Sequence, residues 1–243
     1  MTTVFAEKKT GLPPGGQREI PACARAGNLF PGKRLLDLAV TLACLPLLLP
    51  LVAVIGLISA VLHGRPVFFT QWRPGLYERP FRLYKFRTMT NAHGPDGRLL
   101  PDSDRLTRFG KFMRSTSLDE LPELLNVLKG EMSLVGPRPL LMEYLDRYTP
   151  EQRRRHLVPP GLTGWAQVNG RNTATFEQRF LLDVWYVDHR SLWLDCKILL
   201  MTPWKVLKRE GIVHPDDPAW EGEFQGPSSD QRLPAHTDPA VHL

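Results

Sequence analysis

The chain has 243 residues, room for one catalytic domain with appendages. Its 31 Lys and Arg outnumber 25 Asp and Glu, a formal charge of +6 that suits nucleic acid, anionic lipid or a phosphorylated substrate. Three scattered cysteines, Cys23, Cys44 and Cys196, without CxxC spacing, argue against a disulfide framework and a four-cysteine zinc site, and place the polar part in a reducing compartment.

In chain order, residues 1–30 are rich in Gly, Pro and charge and read as a flexible tail. Residues 31–64 are a membrane segment. Leu38 to Leu62 holds 25 residues without a formal charge, enough helix to cross about 30 Å of hydrocarbon. It begins too late and runs too long for a cleavable signal. Pro46 and Pro50 lie near its middle, where each removes a helix hydrogen bond and crowds the preceding turn. Basic residues stand on both flanks: Lys33 and Arg34 before it, Arg65, Arg73, Arg79, Arg82, Lys85 and Arg87 after it. A spanning helix biases positive charge to one side. These features predict a helix-break-helix hairpin, broken at Pro46 and Pro50, that enters and leaves at the cytoplasmic face.

Residues 65–213 read as the catalytic domain. Pro66 to Gln71 and Pro80 to Arg87 are strand-like, and Arg73-Pro74-Gly75 between them is a turn signal, which predicts a hairpin. Asn91 to Asp104 reads as a loop. Leu118 to Lys129 has helical spacing, with Leu121, Leu124, Leu125 and Leu128 on one face and Gly130 as the stop. Thr149 to His156 is a short basic helix. Pro159-Pro160-Gly161 breaks the chain before two apolar helices, Thr175 to Tyr186 and Leu192 to Lys208. Their Trp185, Trp193 and Trp204 read either as core or as the face of amphipathic helices at a bilayer surface. Residues 214–243 read as a disordered tail. The sum is an α+β, mostly helical fold: a membrane-seated catalytic domain with an N-terminal re-entrant membrane helix and a small β element.

The chemistry concentrates at Asp119 and Glu120. Ser117-Leu-Asp-Glu120 also fits a capping box, and acids in a first helical turn are favoured by the dipole. Yet between His63 and Ser115 there are eleven Lys or Arg and four Asp or Glu. Such an excess is expected to depress a nearby carboxylate's pKa and to hold a polyanion beside it. An ionised Asp can attack phosphorus to give an acyl-phosphate; its acid neighbour can hold Mg2+. Arg138, stiffened between Pro137 and Pro139, is preorganised for bidentate phosphate contact.

These residues resemble the monotopic phosphoglycosyl transferases, bacterial sugar transferases that start glycan assembly on a polyprenyl phosphate, in particular the small members made of the catalytic unit alone. The resemblance rests on Tyr84-Lys-Phe-Arg-Thr-Met89, Arg114 through Glu120, Asn126-Val-Leu-Lys-Gly130, Ser133-Leu-Val-Gly-Pro-Arg-Pro139 and Pro160-Gly-Leu-Thr-Gly-Trp-Ala-Gln-Val-Asn-Gly-Arg171. It implies that Asp119 is the nucleophile on a UDP-sugar, that UMP leaves, and that undecaprenyl phosphate takes the sugar phosphate from the enzyme. It implies Mg2+ at Asp119 and Glu120, and substrate binding at Lys85, Arg87, Arg114, Pro137, Arg138, Pro139 and Asp183. It also implies a re-entrant helix in the bacterial inner membrane, the catalytic domain on the cytoplasmic face, no nucleic acid partner and possible downstream glycosyltransferases. Relatives carry Ser-Pro at the helix break, where this chain has Leu49-Pro50. Two other readings fit the residues: a membrane glycosyltransferase releasing UDP, and a non-catalytic basic membrane adaptor.

Overall fold

The computed structural model describes residues 32–169, 175–207 and 224–226. Helix α1 is Lys33–His63. The predicted hairpin follows as β1, Phe68–Pro74, and β2, Pro80–Phe86, antiparallel from Phe68↔Phe86 to Pro74↔Pro80. The expected loop holds the isolated bridge His93↔Leu99 and ends in a single helical turn, α2, Asp102–Arg105. Helix α3, Arg108–Ser115, was not expected; Thr107 caps it by accepting a bond from the Gly110 N–H.

The predicted helix Leu118 to Lys129 is in two parts. Leu118–Glu123 is a 3-10 turn containing Pro122, and α4, Leu124–Lys129, ends at Gly130 with φ of 82°, a left-handed stop that glycine adopts without penalty. Strand β3, Ser133–Val135, pairs in parallel with β4, Gly161–Thr163. Between them lies α5, Pro150–Arg153, entered through a Thr149/Gln152 capping box. The β3–β4 approach explains two motif glycines. A Cβ on Gly136 would lie 2.4 Å from the Pro159 carbonyl oxygen, and one on Gly161 would lie 2.1 Å from the Gly136 nitrogen. Helices α6, Trp165–Asn169, α7, Phe176–His189, and α8, Leu192–Leu207, complete the described chain. One apolar core joins Phe81 and Leu83 of β2, Val127 of α4, Val135 of β3, Trp165 of α6, Tyr186 of α7 and Ile198 of α8.

The three tryptophans divide. Trp185 stacks on Trp165 with centroids 4.9 Å apart, inside the protein. Trp193 and Trp204 are 79% and 60% exposed, with Leu200 at 79% between them on α8. The tail reading falls largely outside the described residues; Phe224–Gly226 is described, and Phe224 is buried in a second cluster with Tyr144, Tyr148 and Phe180. The sequence pattern assigns nothing there because a lone Phe in a Pro- and Gly-rich stretch carries no periodicity.

Helix α1 is long and apolar enough to cross a membrane. The expected break at Pro46 and Pro50 is not seen: both prolines lie inside α1, which runs as one helix from Lys33 to His63. Both of its ends are fastened to the same domain. At the start, Lys33 Nζ donates to the Val135 carbonyl at 2.9 Å and pairs with Asp195 at 2.5 Å, and Asp37 accepts from the Ser133 hydroxyl and the Leu134 N–H. At the far end, Ser59 Oγ donates to the Arg87 carbonyl and His63 Nε2 bonds Thr107 Oγ1 at 2.7 Å. Between these anchors Val40 and Leu48 pack on the main core and Val52 and Ile55 on a third cluster with Phe86 and Met113. The spacing is a single helical stripe. The opposite face, including Leu47, Leu57 and Val61, is exposed and apolar.

Candidate active site

The acid pair stands on the 3-10 turn, facing the end of β2. Ser117 is left-handed, φ 55°, and its side chain makes no cap bond. The capping-box reading of these residues therefore does not hold. Glu120 turns instead to two cations, whose charge-assisted bonds are stronger than one to a backbone N–H. Lys85 Nζ donates to its Oε1 at 2.6 Å, Arg138 Nη1 donates to Oε2 at 3.2 Å, and Arg138 Nη2 also pairs with Oε1. Lys85 bridges further to Glu123 at 3.3 Å. Buried Asn126 fixes this arrangement from below: its amide donates to the Arg82 carbonyl at 2.6 Å and its oxygen accepts from the Tyr84 N–H, locking α4 to β2.

Asp119 differs from its neighbour. It is 8% exposed and, among the described residues, has no hydrogen bond or ion pair holding it. Burial, and then the adjacent Glu120 charge, push its pKa up to about 6, against the pull of Lys85, Arg138 and Arg114. This corrects the expectation that the cation excess would depress the pKa of the attacking carboxylate. The depressed carboxyl is Glu120: burial would raise it, but Arg138 and Lys85 outweigh burial and hold it well below the usual range. Burial and Glu120 push Glu123 up to about 7. One acid is thus a permanently charged hub for two cations, and the one beside it is left unengaged.

The remaining predicted residues scatter around this centre. Arg114 Nε donates to Thr88 Oγ1 at 3.0 Å and lies close enough to feel the Asp119 charge. Pro137 and Pro139 line a crevice beside Arg138 with Pro74, Arg155 and His156. Asp183 sits one layer back. Its Oδ2 accepts from Arg155 Nη2 at 2.7 Å and Nε at 3.1 Å, and Arg155 in turn holds the Arg138 carbonyl at 2.8 Å. Arg87 is not brought to the acids; its guanidinium reaches the carbonyls of Arg65 and Pro66.

Two residues of the site carried no separate signal in the sequence. Glu123 is a second carboxylate for Lys85, hidden because its spacing reads as helix surface. Arg73, near the end of β1, has its Nη2 on Gln71 Oε1 at 2.7 Å, a buried Nε without a hydrogen-bond partner and, among the described residues, no carboxylate within ion-pair distance. Burial and nearby Arg138 lower its pKa to about 10. Among the described residues no group of three or more His, Cys, Asp or Glu is placed to hold a metal.

Comparison with known proteins matches this arrangement to a class. The chain belongs to the bacterial sugar transferase family, whose model covers residues 28–209, and it is an enzyme of the phosphoglycosyl transferase kind. It is 63% identical over 149 residues to the uncharacterized sugar transferase EpsL of Bacillus subtilis (strain 168), 61% of this chain and 74% of that protein. It is 39% identical over 196 residues to the UDP-galactose-lipid carrier transferase of Erwinia amylovora, 74% of this chain but 41% of that protein. It is 42% identical over 180 residues to the UDP-glucose:undecaprenyl-phosphate glucose-1-phosphate transferase of Caulobacter vibrioides, 70% of this chain and 67% of that protein. The chain thus spans about two fifths of the length of the Erwinia relative.

Proposed function

We propose that this protein transfers a sugar 1-phosphate from a UDP-sugar to undecaprenyl phosphate, in two displacements at phosphorus through Asp119. The observation that carries the proposal is the contrast within the acid pair: Glu120 is bound by Lys85 and Arg138, whereas Asp119 beside it is buried and unengaged. A carboxylate without hydrogen bonds is a better nucleophile than one that must first give them up. An Asp119 oxygen attacks the β-phosphorus of the UDP-sugar; the bond from that phosphorus to the bridging oxygen breaks, and UMP leaves with the oxygen. A phosphate oxygen of undecaprenyl phosphate then attacks the same phosphorus, the acyl-phosphate bond breaks, and Asp119 returns as carboxylate. The product is an undecaprenyl diphosphate sugar.

The cations divide by role. Lys85 and Arg138 are largely neutralised by Glu120 and Glu123, so the charge on the diphosphate is met mainly by Arg73 and Arg114, which have no carboxylate partner within ion-pair distance among the described residues. Mg2+ takes hard oxygen ligands and commonly uses only one or two carboxylates together with substrate phosphates; Asp119 would supply one, and Glu120, whose oxygens are held by Lys85 and Arg138, would supply a second by turning from one of them. When bound, it would screen the repulsion between carboxylate and diphosphate.

Membrane seating is part of the proposal. The support is that both ends of α1 are fastened to one domain, with the packed stripe running between them. A helix spanning the bilayer would carry its far end about 30 Å from a domain on one side. A helix dipping in from the cytoplasmic face of the inner membrane keeps both ends with the domain, and the exposed apolar face of α8 lies at the same interface. Relatives named for galactose, glucose and N-acetylgalactosamine stand at 38–41% identity, so overall similarity does not encode the sugar.

The test is nucleotide release from a panel of UDP-sugars, with undecaprenyl phosphate and Mg2+, by the full chain in nanodiscs. UMP is expected. UDP would identify a glycosyltransferase instead, and no nucleotide from any sugar would return the adaptor reading.

A further inference from the structure

Phe224 lies far along the chain from the site, yet it is 4% exposed. Its ring packs edge-on against Phe180 at 5.0 Å and Tyr144 at 5.6 Å, stacks on Tyr148 at 5.6 Å, and meets Phe176 at 5.6 Å. Its backbone is held as well. Arg147 Nη1 donates to the Phe224 carbonyl at 2.5 Å, and the Phe224 N–H donates to the Tyr144 hydroxyl at 3.3 Å. Gly226 then turns the chain with φ of 103°, a conformation that side chains resist. An apolar ring alone would be ordinary packing. The box that it fills is different, because Tyr148 accepts from Arg155 Nη1 at 3.1 Å, and the Arg155 guanidinium lies over the rings of Tyr148 and Phe180 at 5.7 and 5.3 Å. Arg155 is 2% exposed and donates to the Arg138 carbonyl, and Arg138 grips Glu120.

We propose that Phe224 is a positioning residue of the active site: by closing the aromatic box it fixes Arg155, which sets the Arg138 loop against Glu120 and the incoming UDP-sugar. Phe224 is then a working part of the catalytic unit. This inference rests on the proposed activity. Removing the ring leaves a cavity beside Tyr148, into which Tyr148 and Arg155 relax, and displacements of about an ångström at a positioned group cost rates or affinities of tenfold or more.

The experiment is steady-state kinetics of UMP release by the full chain with Phe224→Ala, Phe224→Leu, Tyr148→Phe and a chain ending at residue 213, each with a thermal melt. Phe224→Ala and the shortened chain are expected to raise KM for the UDP-sugar about tenfold with kcat within about threefold. Phe224→Leu, which refills most of the box, should restore KM. Tyr148→Phe keeps the ring and removes only the hydroxyl that Arg155 uses. It should raise KM in the same direction while keeping the fold, with a modest fall in melting temperature from the unpaired Arg155 donor, so the inference is tested even if Phe224→Ala does not fold. A lowered melting temperature with unchanged KM in Phe224→Ala, or an unchanged KM in Tyr148→Phe, would overturn the inference and leave Phe224 as packing. A wild type that releases no UMP defeats the activity itself, a result distinct from either.

Discussion

At the residue scale, Asp119 combines reactivity with a stability cost. Its pKa is about 6 in the folded protein against an ordinary 3.8, so the folded state favours the protonated acid. The cost appears as pH rises through that window and is complete above pH 6. Asp119→Asn should therefore abolish turnover and also raise the melting temperature by several degrees at pH 7.5, equivalent to at most about 3 kcal/mol. The gain should vanish at and below about pH 4, which parallel melts of the two proteins across pH would read. For the wild type, turnover should fall on the acid side with an apparent pKa near 6 as the nucleophile protonates. A rate unchanged down to pH 5 would show that the loaded site, with the proposed Mg2+, keeps Asp119 ionised below its pKa in the free protein. Arg73 makes a second prediction. Arg73→Gln removes a cation that has no carboxylate partner among the described residues, so it should raise KM for the UDP-sugar about tenfold with little loss of fold, whereas an ion-paired arginine would lower stability instead.

At the element scale, α1 is joined to the domain by buried ionic contacts as well as by apolar packing. Lys33 is 3% exposed, and its partner Asp195 is fully buried and also accepts from the Tyr186 hydroxyl at 2.7 Å. Lys33→Met would leave Asp195 buried without its cation, a loss of about 3–5 kcal/mol. Pairing it with Asp195→Asn should recover part of this. A double-mutant cycle on unfolding in detergent measures the coupling, and additive losses would show that the pair does not anchor the helix. On α8, the exposed Trp193 and Trp204 are expected to lie at the lipid interface. Replacing both with Ser should reduce co-sedimentation with anionic vesicles while leaving the melting temperature unchanged; an unchanged vesicle-bound fraction would remove α8 from the interface.

At the scale of the whole molecule, what the sequence revealed follows the range of the forces involved. The β1–β2 hairpin was legible because a local turn signal stands between two strand-like runs, although Arg73 and Pro74 of that signal belong to β1 and the chain reverses over Gly75 to Arg79. Helices α7 and α8 were legible from their apolar spacing. Helix α3 was missed: it is eight residues long with Gly110 at its centre, and its start depends on a threonine cap rather than on a hydrophobic run. The pairing of β3 with β4 was invisible because three-residue strands carry no periodicity and meet across residues distant in sequence. The acid pair could be found by residue type and motif, but not its division of labour. That division depends on Lys85 and Arg138, distant in sequence, both reaching Glu120 and neither reaching Asp119. Asp183 shows the same limit, since only the fold reveals that Arg155 stands between it and Arg138.

The claim on which the account depends is that phosphorus becomes bonded to Asp119. Its most direct test is intact-protein and peptide mass spectrometry of the full chain, incubated with Mg2+ and a productive UDP-sugar but without undecaprenyl phosphate, with UMP counted in the same sample. The account predicts a sugar-phosphate adduct on the peptide containing Asp119, UMP formed in equal amount, discharge of the adduct when undecaprenyl phosphate is added, and no adduct in Asp119→Asn. Full turnover by the wild type with no adduct at any time after rapid acid quench, or an adduct that persists in Asp119→Asn, would contradict it.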